Sequence, residues 1–336
     1  MARDGVLVVG SITADVTAFS RRLPQRGETV LGDDFTLFLG GKGANQAVAA
    51  ARAGAPTWMV GCVGEDLFRD IVMDSLREHG VHTSEVRTVP GRTGVAHIRV
   101  DASGENDIVI TPLANADLTA EMVDRSIAAT QDRTRVMLLQ LEIPAAVTRH
   151  AAEAGADAGF TVVLDPAPAQ ALPEDIWPYV DIVTPNESEA TALTGSEVDG
   201  VESAERAARW FLDRGVRHAL ITLGGAGAVS VTRTKNSSAP GSEVTSHFPA
   251  FPVVPVDTTA AGDAFTGALG AALAAGLDND LAVRRGMAAG ALATTCPGAS
   301  PSLPDLTAVS ALLDTHPLLP VHPVPAPAHI TEGATS

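Results

Sequence analysis

The chain has 336 residues, of which 45% are apolar and 19% charged, so it can bury a large core and is not globally disordered. Against 23 Lys and Arg stand 40 Asp and Glu, a formal charge of −17 that opposes approach to nucleic acid or to an anionic membrane. A small phosphate ligand held by local backbone dipoles remains compatible with that charge.

The N-terminus enters a valine-rich run within a few residues and shows neither the apolar region nor the cleavage site of a signal peptide. Residues 5–10 end at a glycine and read as a buried strand. Residues 13–39 contain Pro24, Gly27 and Gly32, alternate around Phe35, Leu37 and Leu39, and read as short strands and turns. The cluster Gly40-Gly41-Lys42-Gly43 opens an alanine-rich helix to about Ala53; a strand follows at 57–63 and an amphipathic helix at 66–79. Two β-type runs, 93–100 and 107–110, flank a polar turn at 101–106. From residue 119 helices and strands alternate: helix 119–131, strand 136–141, helix 144–154, strands 161–164 and 181–184, helices 187–193 and 202–214, strand 218–223. This predicts an α/β fold with a mainly parallel central sheet flanked by helices. Residues 227–256 read as antiparallel strands around a loose polar loop, 234–246, and two Ala/Gly-rich helices follow at 261–276 and 280–295. The apolar stretch 264–277 is too short to span a bilayer.

Residues 317–336 hold five prolines without periodicity and read as a disordered tail behind one domain, 1–316. The early β-rich pieces, about 13–39 and 93–111, are predicted to meet as one small sheet, a lid at the carboxyl ends of the parallel strands where ligands bind. Two distant cysteines, Cys62 and Cys296, make neither a disulfide framework nor a zinc site and suit a reducing cytosol, so a cytoplasmic location is expected.

Four constellations could carry chemistry. In Asp257-Thr258-Thr259-Ala260-Ala261-Gly262-Asp263, small residues start a helix. The N–H groups of Ala260, Ala261 and Gly262 would bind an anion, and Asp263 beside them would accept a proton from an attacking hydroxyl. The alternative is that Asp263 only complements the helix dipole. In Gly40-Gly41-Lys42-Gly43-Ala44-Asn45, Lys42 donates and Asn45 both donates and accepts, which suits a polyhydroxylated ligand; the alternative is a capped glycine turn. It is not a Walker A loop, because residue 43 is Gly and no Gly lies five positions before Gly41. Asn186 and Glu189 share one side of a first helical turn and could organise Mg²⁺ through water, or form a capping box. Gly224, Gly225 and Gly227 follow a strand, where they could admit a nucleotide or make a tight turn; with Ser230 they lack the third glycine of a dinucleotide fingerprint. Asp15 and Glu142 stand at predicted carboxyl ends of strands, as ligand contacts or as solvated loop charges.

In this order, Gly10-Ser11-x-x-x-Asp15, Gly40 to Ala47, Gly54, Gly64, Asp165-Pro166-Ala167-Pro168-Ala169, Thr184-Pro185-Asn186-Glu187, Asp257 to Asp263 and Gly298-Ala299-x-Pro301-Ser302 resemble the ribokinase-like (PfkB) family of carbohydrate kinases over roughly residues 5–315. The resemblance implies ATP-dependent phosphorylation of the 5-hydroxyl of D-ribose, with 2-deoxyribose, another pentose or a nucleoside as alternative acceptors; a non-catalytic sugar-binding protein is the alternative of another class. It implies that Asp263 is the base and Ala260–Gly262 the anion hole. Asp15, Gly41, Lys42, Asn45 and Glu142 match the sugar side. Asn186, Thr222, Gly224 and Gly227 match the nucleotide side, and Asn186 with Glu189 matches the Mg²⁺ motif. A K⁺ activator would lie at Asp257, Thr259, Ala293, Cys296, Gly298 and Ser302, several of them through carbonyls. A homodimer through the lid is implied as well. The chain departs from the family where Thr13 replaces an Asn on the sugar side, which favours a sugar lacking the matching hydroxyl. Met287 replaces an Asn or His near the adenine and suggests a more apolar purine contact.

Overall fold

The computed structural model describes residues 3–233, 243–316 and 322–323. In chain order its elements are β1 (Gly5–Val9), β2 (Thr13–Phe19), β3 (Asp34–Gly40), α1 (Lys42–Arg52), β4 (Thr57–Val63), α2 (Leu67–Glu78), β5 (Val81–His82), β6 (Val86–Thr88), β7 (Gly94–Val100), β8 (Asn106–Thr111), α3 (Ala120–Thr130), β9 (Thr134–Leu139), α4 (Ala145–Asp157), β10 (Thr161–Leu164), β11 (Ile182–Val183), α5 (Glu187–Thr194), α6 (Val201–Leu212), β12 (His218–Thr222), β13 (Ala228–Arg233), β14 (Glu243–Phe248), α7 (Ala261–Ala274), α8 (Asn279–Ala293), α9 (Leu306–Thr315) and β15 (His322–Pro323).

The large sheet runs β15-β14-β13-β12-β11-β10-β9-β1-β4-β5, with β6 also on β4; pairing is parallel from β12 through β5 and antiparallel from β12 to β15. The period of two sends Leu7 and Val9 to one face and Val6 and Val8 to the other, and all four are fully buried. Helices α3, α4 and α6 cover the first face through Val123, Ile127, Ala151 and Phe211; α1, α7 and α8 cover the second through Val48, Phe265, Ala268 and Val283. Strands covered on both faces need apolar residues at every position, hence unbroken runs such as Val6 to Val9. The second layer is built from small residues: a Cβ on Gly267 of α7 would lie 2.5 Å from the Cβ of Ala49 on α1, so this glycine is what lets the two helices touch.

The separate lid sheet runs β3-β2-β7-β8, with β2 antiparallel to β3 and parallel to β7. The two sequence-separated β pieces thus meet, as their patterns predict. Where the lid leaves the body, the Asn115 amide donates to Ile12 O and accepts from Ile12 N, both at 2.9 Å.

Several boundaries differ from the sequence reading. The strand expected at 136–141 occupies Thr134–Leu139, because the chain turns out of the sheet at Gln140. Short strands β5 and β6 and helix α9 were not anticipated by periodicity. The polar loop expected at 234–246 already forms strand from Glu243, paired in register with β13, and residues 234–242 lie outside those described. Of the tail, His322–Pro323 pairs with β14 as a short antiparallel strand instead of being unstructured; the remainder lies outside the described residues. Among the described residues no helix is long and apolar enough to cross a membrane.

Candidate active site

The parallel strands β1, β9, β10, β11 and β12 all deliver their carboxyl ends to one edge of the sheet, followed there by Ser11, Gln140 and Glu142, Asp165, Asn186, and Gly224. The N-termini of α1 and α7 point at the same place, and the lid strand β2 brings Thr13 and Asp15. This is the crevice where α/β sheets bind ligands.

Glycines set how closely these pieces approach. Gly41 caps α1 at φ 88°, a conformation that only glycine adopts without strain. A Cβ on Gly43 would lie 2.6 Å from Gly10 C and from Ser11 N, so α1 can enter only over a bare backbone. The loops are then tied by one carboxylate: Glu142 Oε2 accepts from Ser11 Oγ at 2.6 Å and from Lys42 N at 2.9 Å.

Lys42, Asn45 and Gln46 occupy positions i, i+3 and i+4 of α1 and so face one way. Their target is Asp263, which is 3% exposed in the first turn of α7. Asn45 Nδ2 donates to Asp263 Oδ2 at 3.0 Å, and Gln46 Nε2 donates to Asp263 Oδ1 at 3.1 Å. Lys42 Nζ stands 3.9 Å from Asp263 Oδ1 and 4.0 Å from Asp165 Oδ2. Burial alone would depress the lysine, but Asp263, Asp165, Glu142 and Glu189 outweigh it and hold the ammonium above its ordinary value. Asp263 is therefore a buried carboxylate with a cation beside it, and not a surface charge serving the helix dipole.

Ala260 precedes α7 in the left-handed region, φ 59°, a strained state for a residue with a Cβ. A left-handed residue followed by helical ones is a backbone pattern that can turn successive N–H groups toward one anion; here Ala261 N donates to Thr258 O at 3.3 Å. The space above Gly262 is open: a Cβ there would meet nothing within 4 Å.

Asp15 lies over Gly40, where an added Cβ would fall 2.0 Å from its carboxyl oxygen, and it accepts from Thr13 Oγ1 at 2.7 Å. Burial raises Asp15 to about 7, the Thr13 hydrogen bond opposes that, and Glu142 and Asp263 add to it.

On the opposite side Asn186 and Glu189 form a capping box: Asn186 Oδ1 accepts from Glu189 N and Glu189 Oε2 accepts from Asn186 N, both at 2.9 Å. Asn186 and Thr222 bridge in parallel, which puts the capping box next to the Gly224–Ala226 turn. A Cβ on Gly227 would lie 1.9 Å from Phe248 O, so that glycine serves the turn's own packing, whereas Gly224 and Gly225 face open space. Met287 is half-buried on α8 and packs against the second-face core.

Just before α7, Asp257 Oδ1 accepts from Thr259 N and Oγ1, and its Oδ2 accepts from Gly298 N at 2.8 Å. Burial opposes its ionisation, but the bonds from Gly298 and Thr259 prevail and hold the carboxyl below its ordinary value. This joins loop 257–259 to the loop after α8. Ala293 and Ser302 are buried there and Cys296 is exposed.

Three participants were assigned no role by sequence reasoning: Gln46, Gln140 and Asp165. Gln46 Nε2 also donates to Asp165 Oδ2 at 2.8 Å, and Gln46 Oε1 accepts from Gln140 Nε2 at 2.5 Å. Asp165 is 4% exposed; burial pushes its carboxyl up, against the pull of Lys42. Gln46 and Asp165 lie inside motifs that carry the family resemblance, and Gln46 also stands one helical turn behind Lys42; no local signal marks Gln140.

The profile of the pfkB family of carbohydrate kinases matches residues 3–306. The chain belongs to this family. This kinase is 40% identical over 303 residues to a ribokinase of Haemophilus influenzae, a match spanning 90% of the chain and 96% of that relative. It is 36% identical over 305 residues to a deoxyribokinase of Salmonella typhi, spanning 90% and 96%. Among solved structures, the ribokinase of Arabidopsis thaliana complexed with ribose and ATP superposes on it with a TM-score of 0.81 at 32% identity, covering 93% of this kinase and 99% of that chain.

Proposed function

We propose that this kinase transfers the γ-phosphoryl group of ATP to the 5-hydroxyl of D-ribose. One observation carries the reading: a buried carboxylate, Asp263, held by Asn45 and Gln46 in the first turn of a helix that a left-handed Ala260 precedes. Asp263 takes the proton of the 5-hydroxyl. The hydroxyl oxygen forms the new bond to phosphorus, the bond from phosphorus to the β,γ-bridging oxygen breaks, and ADP leaves. The amides of Ala260, Ala261 and Gly262 stabilise the equatorial oxygens, and Lys42 adds a positive charge beside them. Asp15, Glu142, Gly41 and Asn45 line the sugar side; Asn45 Oδ1 is buried without a hydrogen-bond partner among the described residues, an acceptor suited to a sugar hydroxyl.

ATP would lie along Asn186, Thr222 and the Gly224–Gly227 turn, with Met287 against the purine. The capping box occupies one oxygen of Glu189 and leaves the other for a water on Mg²⁺, which neutralises phosphate charge when bound. The set Asp257, Thr259, Ala293, Cys296, Gly298 and Ser302 offers a carboxylate, hydroxyls and carbonyls, the oxygen donors that a hard monovalent ion such as K⁺ takes.

A second reading, 2-deoxyribose as acceptor, is favoured by Thr13: its hydroxyl proton is committed to Asp15, so it has none to donate to a sugar oxygen. The edge strands of the lid expose Phe35, Phe38, Ile108, Val109 and Ile110, an apolar surface suited to a homodimer through the lid. The two unpaired cysteines fit a cytoplasmic setting.

The test is ADP release from ATP with Mg²⁺ and K⁺ across ribose, 2-deoxyribose, other pentoses, fructose and nucleosides. Strong ribose dependence is expected. A preference for 2-deoxyribose moves the substrate assignment, and silence across the panel from a folded, ATP-binding protein overturns the kinase reading.

A further inference from the structure

Behind Asp263 lies a buried chain of polar side chains that the reaction as described above leaves unused. Gln46 has two amide protons, and both are spent on carboxylates: one on Asp263 Oδ1 at 3.1 Å, the other on Asp165 Oδ2 at 2.8 Å. Its carbonyl oxygen takes Gln140 Nε2 at 2.5 Å. The two carboxylates favour this orientation of the amide, while Gln140 Oε1 is buried without a hydrogen-bond partner among the described residues. Turned over, its oxygen would face two carboxylates and its NH₂ would face another NH₂. Gln140 is itself fully buried and pressed against Gly10, where a Cβ would lie 2.0 Å from its Oε1, and its backbone oxygen accepts from Thr148 Oγ1. Gln140 is the residue at which the chain leaves β9, earlier than its apolar pattern suggests.

Such an arrangement is costly unless it serves something, because Asp165 and Asp263 are both carboxylates in a water-poor interior. What the glutamines add is a fixed direction for one oxygen of Asp263, while Asn45 fixes the other.

We propose that Gln46, turned by Gln140 and anchored on Asp165, is the positioning residue that aims the Asp263 carboxylate at the substrate hydroxyl. Both amide protons and the oxygen of Gln46 are spent inside the protein, so the brace is expected to act on the rate of transfer more than on binding. The inference rests on Asp263 being the general base of this kinase.

The experiment is steady-state kinetics of Gln140→Met and Gln46→Met, with each change repeated in an Asp263→Asn background. Methionine keeps the side-chain length and removes the amide. Gln140→Met is expected to lower kcat about tenfold and Gln46→Met about a hundredfold, the scale of a sub-ångström to ångström misplacement. KM for sugar and ATP should stay within about threefold. In the Asp263→Asn background neither change should lower kcat more than about twofold further, because residues acting through one base are not additive. A purely structural role predicts the opposite: the losses would multiply. Retention of parental kcat within about twofold by both single variants overturns the proposal, and so do fully multiplying losses. If Gln46→Met fails to give a cooperative melt, Gln140→Met decides alone, since it leaves every donor to Asp263 in place. A parent protein inert on every sugar would overturn the kinase reading itself, an outcome separable from these.

Discussion

Placing one methyl group at residue 43 tests how tightly the crevice depends on bare backbone. In Gly43→Ala the new Cβ would stand 2.6 Å from Gly10 C and Ser11 N and 2.7 Å from Ser11 O. All three are main-chain atoms of the segment that follows β1, so no flexible side chain can swing aside. Ordinary contact begins near 3.4 Å, so α1 must retreat by about 0.8 Å or the turn after β1 must deform. Overpacking of this kind costs about 1–3 kcal/mol, which lowers the melting temperature by several degrees. The same retreat carries Lys42, Asn45 and Gln46 away from Asp263, and a displacement near 1 Å at reacting groups lowers turnover by about 10²-fold. The assay is paired: melting by calorimetry, and kcat by ADP release with the preferred sugar. Gly262→Ala is the control, because a Cβ there meets nothing within 4 Å and its melting temperature should hold or rise. Parental melting temperature and kcat in Gly43→Ala would refute the view that α1 is set by contact with a naked turn.

Asp263→Asn should lower kcat by about 10²–10⁴-fold with sugar affinity largely kept, measured by steady-state kinetics and by calorimetric titration of the sugar; near-normal turnover removes Asp263 from the mechanism. Thr13→Asn should raise the ratio of kcat/KM for ribose over 2-deoxyribose, because it restores an amide to the sugar side and releases Asp15 from the Thr13 hydroxyl; an unchanged ratio retires residue 13 as a selector. Burial holds Asp15 at about 7 instead of its ordinary 3.8, so between those values the folded chain keeps a proton that the unfolded chain has released. Stability of the ligand-free protein therefore falls as pH rises through that window, and Asp15→Asn should flatten that part of the melting-temperature profile; superimposable profiles for parent and variant would exclude Asp15 as the cause.

Elements with long, regular patterns were legible in the sequence. The valine run of β1 and the alanine-rich α1 announce themselves through period and composition, and the two lid pieces through turn residues and alternation. Strands β5 and β6 did not, since two or three residues carry no period. The end of β9 was misplaced because Leu141 continues an apolar pattern that Gln140 interrupts, and the interruption is the informative residue. In the site, the glycine clusters and Asp263 stood out because small residues at a helix start have few other uses. Gln46, Gln140 and Asp165 did not. Their meaning lies in partners 94 and 119 residues away, and a lone glutamine in an alanine-rich helix reads as an ordinary helix former.

The packing of α7 on α1 through Gly267 and Ala49 also bears on how this protein is made. During synthesis the chain emerges from its N-terminus, so β1, the lid and α1 leave the ribosome long before Ala261–Ala274. Until then the alanine face of α1 has no cover, and the sheet surface that α7 shares with it lies open. A nascent chain at that stage carries Asp15, Lys42 and Glu142 but lacks Asp263 and the start of α7. Closure of the second layer and the arrival of Asp263 beside Lys42, Asn45 and Gln46 are one event, late in the chain. Chains interrupted before α7 would leave that apolar face uncovered, the kind of surface that chaperones and proteases recognise.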